Sequence, residues 1–354
     1  MIKQSIILGI ESSCDETACA IIKEDGDILA NVISSQASIH ACHGGVVPEV
    51  AAREHLSAMR PVIITALKES GLSFDKIDGI AATGGPGLIG GVLVGTVTAK
   101  AMANASNLPY YAVNHLEGHA LTPRFTHKLE FPYLLLLVSG GHTQLLSINA
   151  LGQYERYGTT MDDAAGEAFD KGAKILGLSY PGGPSIEQAA KKGNPNAVKL
   201  PVPRQRYHDC HFSFSGLKTA LTTALSIHPK PVSIPDFAAS LQAAISSSLV
   251  SRSAIAMEQF IASATYEKMP NFVVAGGVAA NTQIRKALKS LAESKNFNTI
   301  LPPLEFCTDN AAMIAWVGME YHKIGKSTEL DFAPRPRWPL DDNANPPPGR
   351  GVRQ

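Results

Sequence analysis

Three apolar runs in this 354-residue chain break at closely spaced glycines. The run Asn271-Phe-Val-Val-Ala-Gly-Gly-Val-Ala-Ala-Asn281 continues into a helix-like stretch over Gln283 to Leu291. Tyr133-Leu-Leu-Leu-Leu-Val-Ser-Gly-Gly-His-Thr143 has the same break, and Thr83-Gly-Gly-Pro-Gly87 leads into Leu88-Ile-Gly-Gly-Val-Leu-Val-Gly95. Glycine carries no side chain, so backbone N–H groups there approach a phosphate or ribose closely. A helix starting beside them adds partial positive charge. The pattern predicts a chain built to hold a nucleotide.

The surrounding periodicity is that of an α/β protein. Ile6 to Ile10 reads as a strand, Glu11 to Thr17 as a polar turn, and Ala18 to Ile22 as a second strand before the Glu24-Asp25-Gly26-Asp27 turn. Tyr133 to Val138, the loop Ser139 to Thr143 and Gln144 to Ile148 repeat that hairpin, which suggests an internal duplication. Glu54 to Ser70 and Val92 to Asn104 have helical patterning, and Ile77 to Thr83 and Tyr110 to Val113 read as strands. Thr159 to Gly183 is a polar segment, followed by helix-rich scaffold over Phe214 to Leu225 and Ile234 to Phe260. The proline-rich tail from Ala333 is expected to form no packed element and to end in disorder.

Single cores stop growing at roughly 250 to 300 residues, so two lobes are the default. The lobes are expected at residues 1–130, rejoined by the C-terminal helix 311–332, and at 131–310, with a flexible tail at 339–354. Lys plus Arg and Asp plus Glu number 31 each, which gives no support for strong independent binding to nucleic acid. The small basic clusters Lys191-Lys192 with Lys199 and Arg204-Gln-Arg206 do not change that. Five scattered cysteines without CxxC spacing fit a reducing compartment. The N-terminus shows no secretory signal, and no run reaches the ~18 apolar residues of a membrane span. The expected location is the cytoplasm.

His115-Leu-Glu-Gly-His119 places two imidazoles at i and i+4 on one helix face, suited to one transition metal. Such a pair also serves simply to pack or cap, and spacing alone does not choose. In the zinc-protease signature the glutamate directly follows the first histidine, whereas Glu117 comes two later and projects to another face. Asp309, just before a helix over Ala311 to Met319, is a candidate oxygen ligand or that helix's N-cap. Cys307 is a candidate thiolate or buried filler. Gly118 is unfavourable inside a helix and is expected where another segment comes close.

Many motifs, in one order along nearly the whole chain, resemble the bacterial TsaD family, tRNA adenosine threonylcarbamoyltransferases formerly labelled glycoproteases. They are Gly9-Ile-Glu-Ser-Ser-Cys-Asp-Glu-Thr17, Gly44-Gly-Val-Val-Pro-Glu49, His115 to His119, Val138-Ser-Gly-Gly-His-Thr143, Asp162-Asp-Ala-Ala-Gly-Glu-Ala-Phe-Asp170, Tyr180-Pro-Gly-Gly-Pro184, Ser213-Phe-Ser-Gly-Leu-Lys218, Ala275 to Asn281 and Cys307-Thr-Asp-Asn310. The hairpins also resemble the wider superfamily of actin, sugar kinases and heat-shock chaperones. The resemblance implies a two-lobed, duplicated actin-like ATPase fold of the α/β class, with nucleotide and metal in the interlobe cleft.

It further implies transfer of a threonylcarbamoyl group from threonylcarbamoyl-AMP to the exocyclic amine of the adenosine 3′ of the anticodon, position 37, in tRNAs reading codons that begin with A. One divalent metal per subunit, Fe2+ by preference and Zn2+ as the alternative, is implied at His115, His119 and Asp309. Leu137, Val138, Ser139, Gly140, Gly141, Asp170, Gly183 and Asn281 match positions that hold the adenylate, and ATP or ADP asks for similar loops. Asp15 and Glu16, in the first hairpin loop, are candidates to take the proton lost by the attacking amine, with His142 as a rival. Asn281 as an N-cap and Asp170 as a solvated helix residue are the plainer readings. The implied partners are tRNA, an inactive TsaB-like paralogue and a small TsaE-like ATPase, with no membrane. A helical surface over Ala51 to Leu67 would suit the paralogue. A metal-dependent peptidase and an actin-fold small-molecule kinase are the alternatives; against the kinase, its usual Asp-x-Gly opening is replaced by Glu11-Ser-Ser.

Overall fold

The computed structural model describes residues 4–41, 45–227, 232–263 and 268–345. Gly44 of the Gly44 to Glu49 motif, Cys42 and the tail from Pro346 onward lie outside them. Two compact units emerge, Met1–Leu129 with Thr308–Asp342, and Glu130–Cys307 with Asn343–Gln354.

The first unit runs β1 (Ile6–Glu11), β2 (Glu16–Lys23), β3 (Ile28–Ser35), α1 (Ala37–Ala41), α2 (Pro48–Ser70), β4 (Gly79–Gly85), α3 (Ile89–Ser106), β5 (Tyr110–Asn114) and α4 (His115–Thr126). The second continues with β6 (Tyr133–Val138), β7 (Thr143–Ala150), β8 (Gln153–Thr159), α5 (Ala165–Ile175), α6 (Gly182–Ala190), α7 (Ser215–Ile227), α8 (Ile234–Ser263), β9 (Asn271–Ala275), α9 (Thr282–Ser294) and β10 (Asn298–Ile300). The last helix, α10 (Ala311–Lys323), belongs to the first unit.

The two sheets have one topology. In the first, β3-β2-β1-β4-β5 are adjacent in that order; in the second, β8-β7-β6-β9-β10 are. In each, the first strand pairs antiparallel with the second and parallel with the fourth, and the outer pairs follow suit. Equal order and equal polarity at all ten positions make the internal duplication a structural fact.

Strand alternation divides each sheet between two faces. Leu8 and Ile10 of β1, with Ile80 and Ala82 of β4, meet Met59, Val62 and Ala66 of α2 and Ala99 and Ala103 of α3. The opposite face takes α10, which packs on β1, β2 and β4. That contact rests on missing side chains: a Cβ on Gly9 would lie 2.5 Å from the Ala315 nitrogen and 2.6 Å from the Ala311 carbonyl oxygen, and one on Gly318 would lie 2.6 Å from Ala81 Cβ. In the second unit, Leu134, Leu136 and Val138 of β6 share a core with Phe169 of α5, Ile245 and Leu249 of α8 and Ile284 of α9.

Several elements escape the sequence pattern. β8, Gln-Tyr-Glu-Arg-Tyr-Gly-Thr, is an edge strand whose outer residues are polar, so only its ladder with β7 reveals it. α5 lies inside the stretch read as polar; its buried face consists mostly of small residues, Ala165, Gly166, Ala168, Gly172 and Ala173, with Phe169 the exception. The tail also departs from expectation. Although its described residues form no helix or strand, Arg335 donates its N–H to the Gly84 carbonyl at 2.8 Å, and Thr328, just before the tail, pairs with β5 through the Tyr110 carbonyl. Trp338 packs on Phe332 with ring centres 5.4 Å apart, and the Arg335 guanidinium lies over both rings. Proline forbids regular structure here, but it does not forbid docking of the aromatic side chains.

Gly9→Ala should therefore destabilise the protein by about 1–3 kcal/mol through overpacking. Gly216→Ala, at an open helical position, should stay within about 1 kcal/mol of the wild type or stabilise it. Urea denaturation midpoints of the two variants check the contrast; a Gly9→Ala protein as stable as the wild type would contradict the close β1–α10 contact.

Candidate metal centre and glycine loops

The first unit gathers His115, His119 and Asp309. His115 opens α4, whose N-cap Asn114 accepts from the Leu116 N–H at 2.9 Å, and His119 follows one turn later. Asp309 arrives from 190 positions further along the chain. It is not the N-cap of α10: Asn310 takes that role, accepting from the Met313 N–H at 3.1 Å. Asp309 is thereby left to face the imidazoles, with its Oδ1 at 3.2 Å from His119 Nε2 and 3.5 Å from His115 Nε2. Gly118 makes the approach feasible, since a Cβ there would sit 3.0 Å from Met313 and Ile314 atoms of α10.

The donor set fits a transition metal. All three ligand atoms lie within 4.8 Å of one another. Bonds of about 2.1 Å in a tetrahedral site put neighbouring ligand atoms about 3.4 Å apart, close to the two Asp309 distances. Two imidazoles and one carboxylate suit iron and zinc alike. Cys307 stands apart, with its buried thiol facing the Arg285 guanidinium at 3.2 Å. Glu117 is buried on another face, accepting from the Tyr321 hydroxyl at 2.8 Å, so it braces α4 against α10.

A further acid, which sequence reasoning weighed only as a departure from kinases, lies beneath the cluster. Glu11, wholly buried at the end of β1, accepts from the Ser13 N–H and the Thr83 hydroxyl, each at 2.5 Å, and its Oε2 lies 3.0 Å from His115 Nδ1. Burial would raise its pKa, but the His115 charge and these hydrogen bonds hold it below the ordinary carboxylate value. Burial would lower the pKa of His115, yet Asp309 and Glu11 push it up to about 9. Glu16, at the start of β2, is pushed up to about 9 by burial and then by Asp309 and Asp15. These are directions for the metal-free site; a bound cation reverses the field around the carboxylates. The signal that would have found Glu11 is an acid ending a buried strand two residues before a serine.

The second unit holds the remaining predicted residues. Leu137 and Val138 are wholly buried at the end of β6, where both pair with β7 and Leu137 also pairs with β9. Ser139 spends its N–H on the His142 carbonyl at 2.8 Å, while Gly140 and Gly141 have open space where a Cβ would stand. The N-terminus of α5 backs onto this loop, Gly166 and Glu167 donating to the Ser139 and Gly140 carbonyls. Gly276, at φ +98°, crosses the end of β6, where a Cβ would lie 2.5 Å from the Val138 carbonyl oxygen; Gly277 and Gly183 are open. Asp170 accepts from the Gly182 N–H at 2.7 Å. Asn281 does cap α9, its Oδ1 accepting from Ile284 at 3.0 Å while its Nδ2 donates to Gln242 at 2.7 Å. Its amide organises the loop.

The third glycine turn, Gly84 to Gly87, does not share this openness. The docked tail covers it: a Cβ on Gly85 would overlap the Arg335 carbonyl, and the Gly87 N–H donates to the Pro336 carbonyl at 3.2 Å. The expected approach of a phosphate to this turn is therefore replaced by a contact within the chain.

Comparison with known proteins identifies the family. A family profile described as TsaD, tRNA N6-adenosine threonylcarbamoyltransferase, matches residues 27–316. A tRNA N6-adenosine threonylcarbamoyltransferase of Sinorhizobium medicae is 53% identical over 354 residues, covering 98% of each chain. Its counterpart in Paramagnetospirillum magneticum is 51% identical over 342 residues, covering 96% of this chain and 98% of its own. Among solved structures, HypF of T. kodakarensis superposes with a TM-score of 0.60 at 17% identity, covering 91% of this chain and 48% of that one. Component A of the Acidaminococcus fermentans (R)-2-hydroxyglutaryl-CoA dehydratase gives 0.53 at 16%, covering 91% and 100%. These distant structures share the fold alone. Identity above one half over nearly the full length leaves no such reserve: the chain belongs to the TsaD family, the tRNA N6-adenosine threonylcarbamoyltransferases.

Proposed function

We propose that this chain moves a threonylcarbamoyl group from threonylcarbamoyl-AMP to the exocyclic amine of adenosine 37 in tRNAs reading codons that begin with A. The observation that carries this reading is the His115, His119 and Asp309 cluster in a member of that family. Two of its histidines and its aspartate would hold one metal ion, Fe2+ or Zn2+. When bound, such an ion supplies Lewis-acid polarisation of a carbonyl or phosphoryl oxygen. The rest is alignment, since AMP is already a good leaving group.

In the second unit, the N–H groups of Gly140 and Gly141 are the loop donors suited to phosphate oxygens, because that of Ser139 is already used. The backbone at Leu137 and Val138, the open positions Gly183 and Gly277, and Asp170 would border the adenylate, with Asn281 holding the loop in shape. Asp15 and Glu16 would manage the proton released by the amine. Against a peptidase, Glu117 is bound to Tyr321; against a kinase, Glu11 is bound to His115.

A neutral net charge argues for help in gripping tRNA. The surface suited to a TsaB-like paralogue is formed by α2 and α3, where Leu56 and Val97 are 67% and 59% exposed beside Ile64 and Leu93. Such a contiguous apolar face is typical of a protein interface. The family resemblance adds a TsaE-like ATPase. Among the described residues, no helix is long and apolar enough to cross a membrane.

Three outcomes are expected. His119→Ala or Asp309→Ala should weaken metal binding by more than about 100-fold, because even groups outside the ligand set are worth about 10–100-fold. Metal analysis and nucleoside analysis after incubation with threonylcarbamoyl-AMP, tRNA and partners read this out. Asp15→Ala combined with Glu16→Ala should slow single-turnover transfer by about 10²–10⁴-fold; near-normal transfer would remove the pair from proton handling. Leu56→Asp with Val97→Asp should weaken pairing with the paralogue by about tenfold or more, seen by light scattering.

A further inference from the structure

Glu11 is the most buried acid near the metal cluster and has no ligand role. It ends β1 with both carboxylate oxygens occupied: Oε1 accepts from the Ser13 N–H, and Oε2 accepts from the Thr83 hydroxyl and lies 3.0 Å from His115 Nδ1. The Ser13 hydroxyl also lies 3.1 Å from this nitrogen, but a hydroxyl rotates and can accept, whereas the carboxylate can only accept, so Nδ1 carries the hydrogen. The lone pair of a neutral His115 is then on Nε2, the atom 3.5 Å from Asp309. The two histidines differ in this respect. His119 Nδ1 is buried with no hydrogen-bond partner among the described residues, so none of them selects its tautomer.

We propose that Glu11 is a positioning residue for the metal: it locks His115 in the tautomer and ring orientation that aim Nε2 at the ion. The inference rests on the reading of His115, His119 and Asp309 as a metal site. A metal-bound imidazole whose other nitrogen donates to a carboxylate is held in place and made more basic. Here the carboxylate is itself anchored from two elements, by Ser13 just beyond β1 and by Thr83 in β4. The sheet thereby sets the angle of a ligand on α4.

Glu11→Gln tests this with nearly unchanged shape. The new amide NH2 cannot face the Ser13 N–H, which is a fixed donor. It must turn toward Thr83, whose hydroxyl rotates to accept, and toward His115, whose Nδ1 would then accept. That tautomer places a hydrogen on Nε2 and blocks it as a ligand, as an Asp-to-Asn change beside a catalytic histidine does elsewhere.

The experiment uses the full chain stripped of metal, with Zn2+ or Co2+ alone as probe and chelator competition as readout. Glu11→Gln should bind Zn2+ about 10–100-fold more weakly and alter the Co2+ absorption spectrum. In a His115→Ala background the same substitution should cost less than about twofold, because its effect runs through that ring. Unchanged affinity, or an equal loss in both backgrounds, overturns the proposal. If wild-type protein binds neither ion, or His115→Ala binds as tightly as wild type, the metal reading itself fails. Should Glu11→Gln not fold, nitrogen-15 spectra of histidine-labelled, Zn2+-loaded wild type decide: hydrogen on Nδ1 of His115 supports the proposal, and hydrogen on Nε2 overturns it.

Discussion

The close seating of α10 against β1 and α4 is the contact on which the candidate site depends. It exists because Gly9, Gly118 and Gly318 remove side chains where backbone and side-chain atoms would collide. That packing brings the start of α10 to the start of α4, so that Asp309 meets two histidines 190 or more positions away. Asn310 frees it for the purpose by capping the helix in its place. Interiors packed this tightly transmit small displacements, so the ligand distances are set by the sheet–helix contact as much as by the ligands.

The duplicated sheets show one scaffold serving two kinds of chemistry. In the first unit, the hairpin between β1 and β2 is flanked by acids, Glu11, Asp15 and Glu16, with the imidazoles nearby. In the second, the matching hairpin carries Gly140 and Gly141, open and backed by the N-terminus of α5. The turn after β4 is covered by the tail, whereas the corresponding turn after β9 has an open Gly277. Equal topology therefore leaves unequal surfaces, and the difference lies in loop side chains and in one strap of chain.

Around the cluster, charged groups lie where water is largely excluded. Glu11 is wholly buried, and Glu16 is pushed up to about 9 by burial and then by the nearby Asp309. Buried carboxylates are tolerated only when something positive or a set of hydrogen bonds meets them. His115 meets them here, its pKa pushed up to about 9 by Asp309 and Glu11 against the opposing effect of burial. An ion bound to the same three side chains replaces a proton with a stronger charge, which is why metal and fold are expected to support each other.

Much of this was legible in the chain itself. Apolar runs bounded by polar turns located β1, β2, β4, β5, β6 and β7, the repeated hairpin announced the duplication, and the i, i+4 spacing put His115 and His119 on one face, because these features depend on neighbours in sequence. β8 and α5 were hidden, the first by the polar face of an edge strand and the second by a core of alanines and glycines. Whether Asp309 caps a helix or faces the histidines, whether Gly84 to Gly87 is open, and what Glu11 touches were decided only by tertiary structure. Each depends on segments tens to hundreds of residues apart, and no local pattern encodes which distant backbone will occupy the space beside a glycine or a carboxylate.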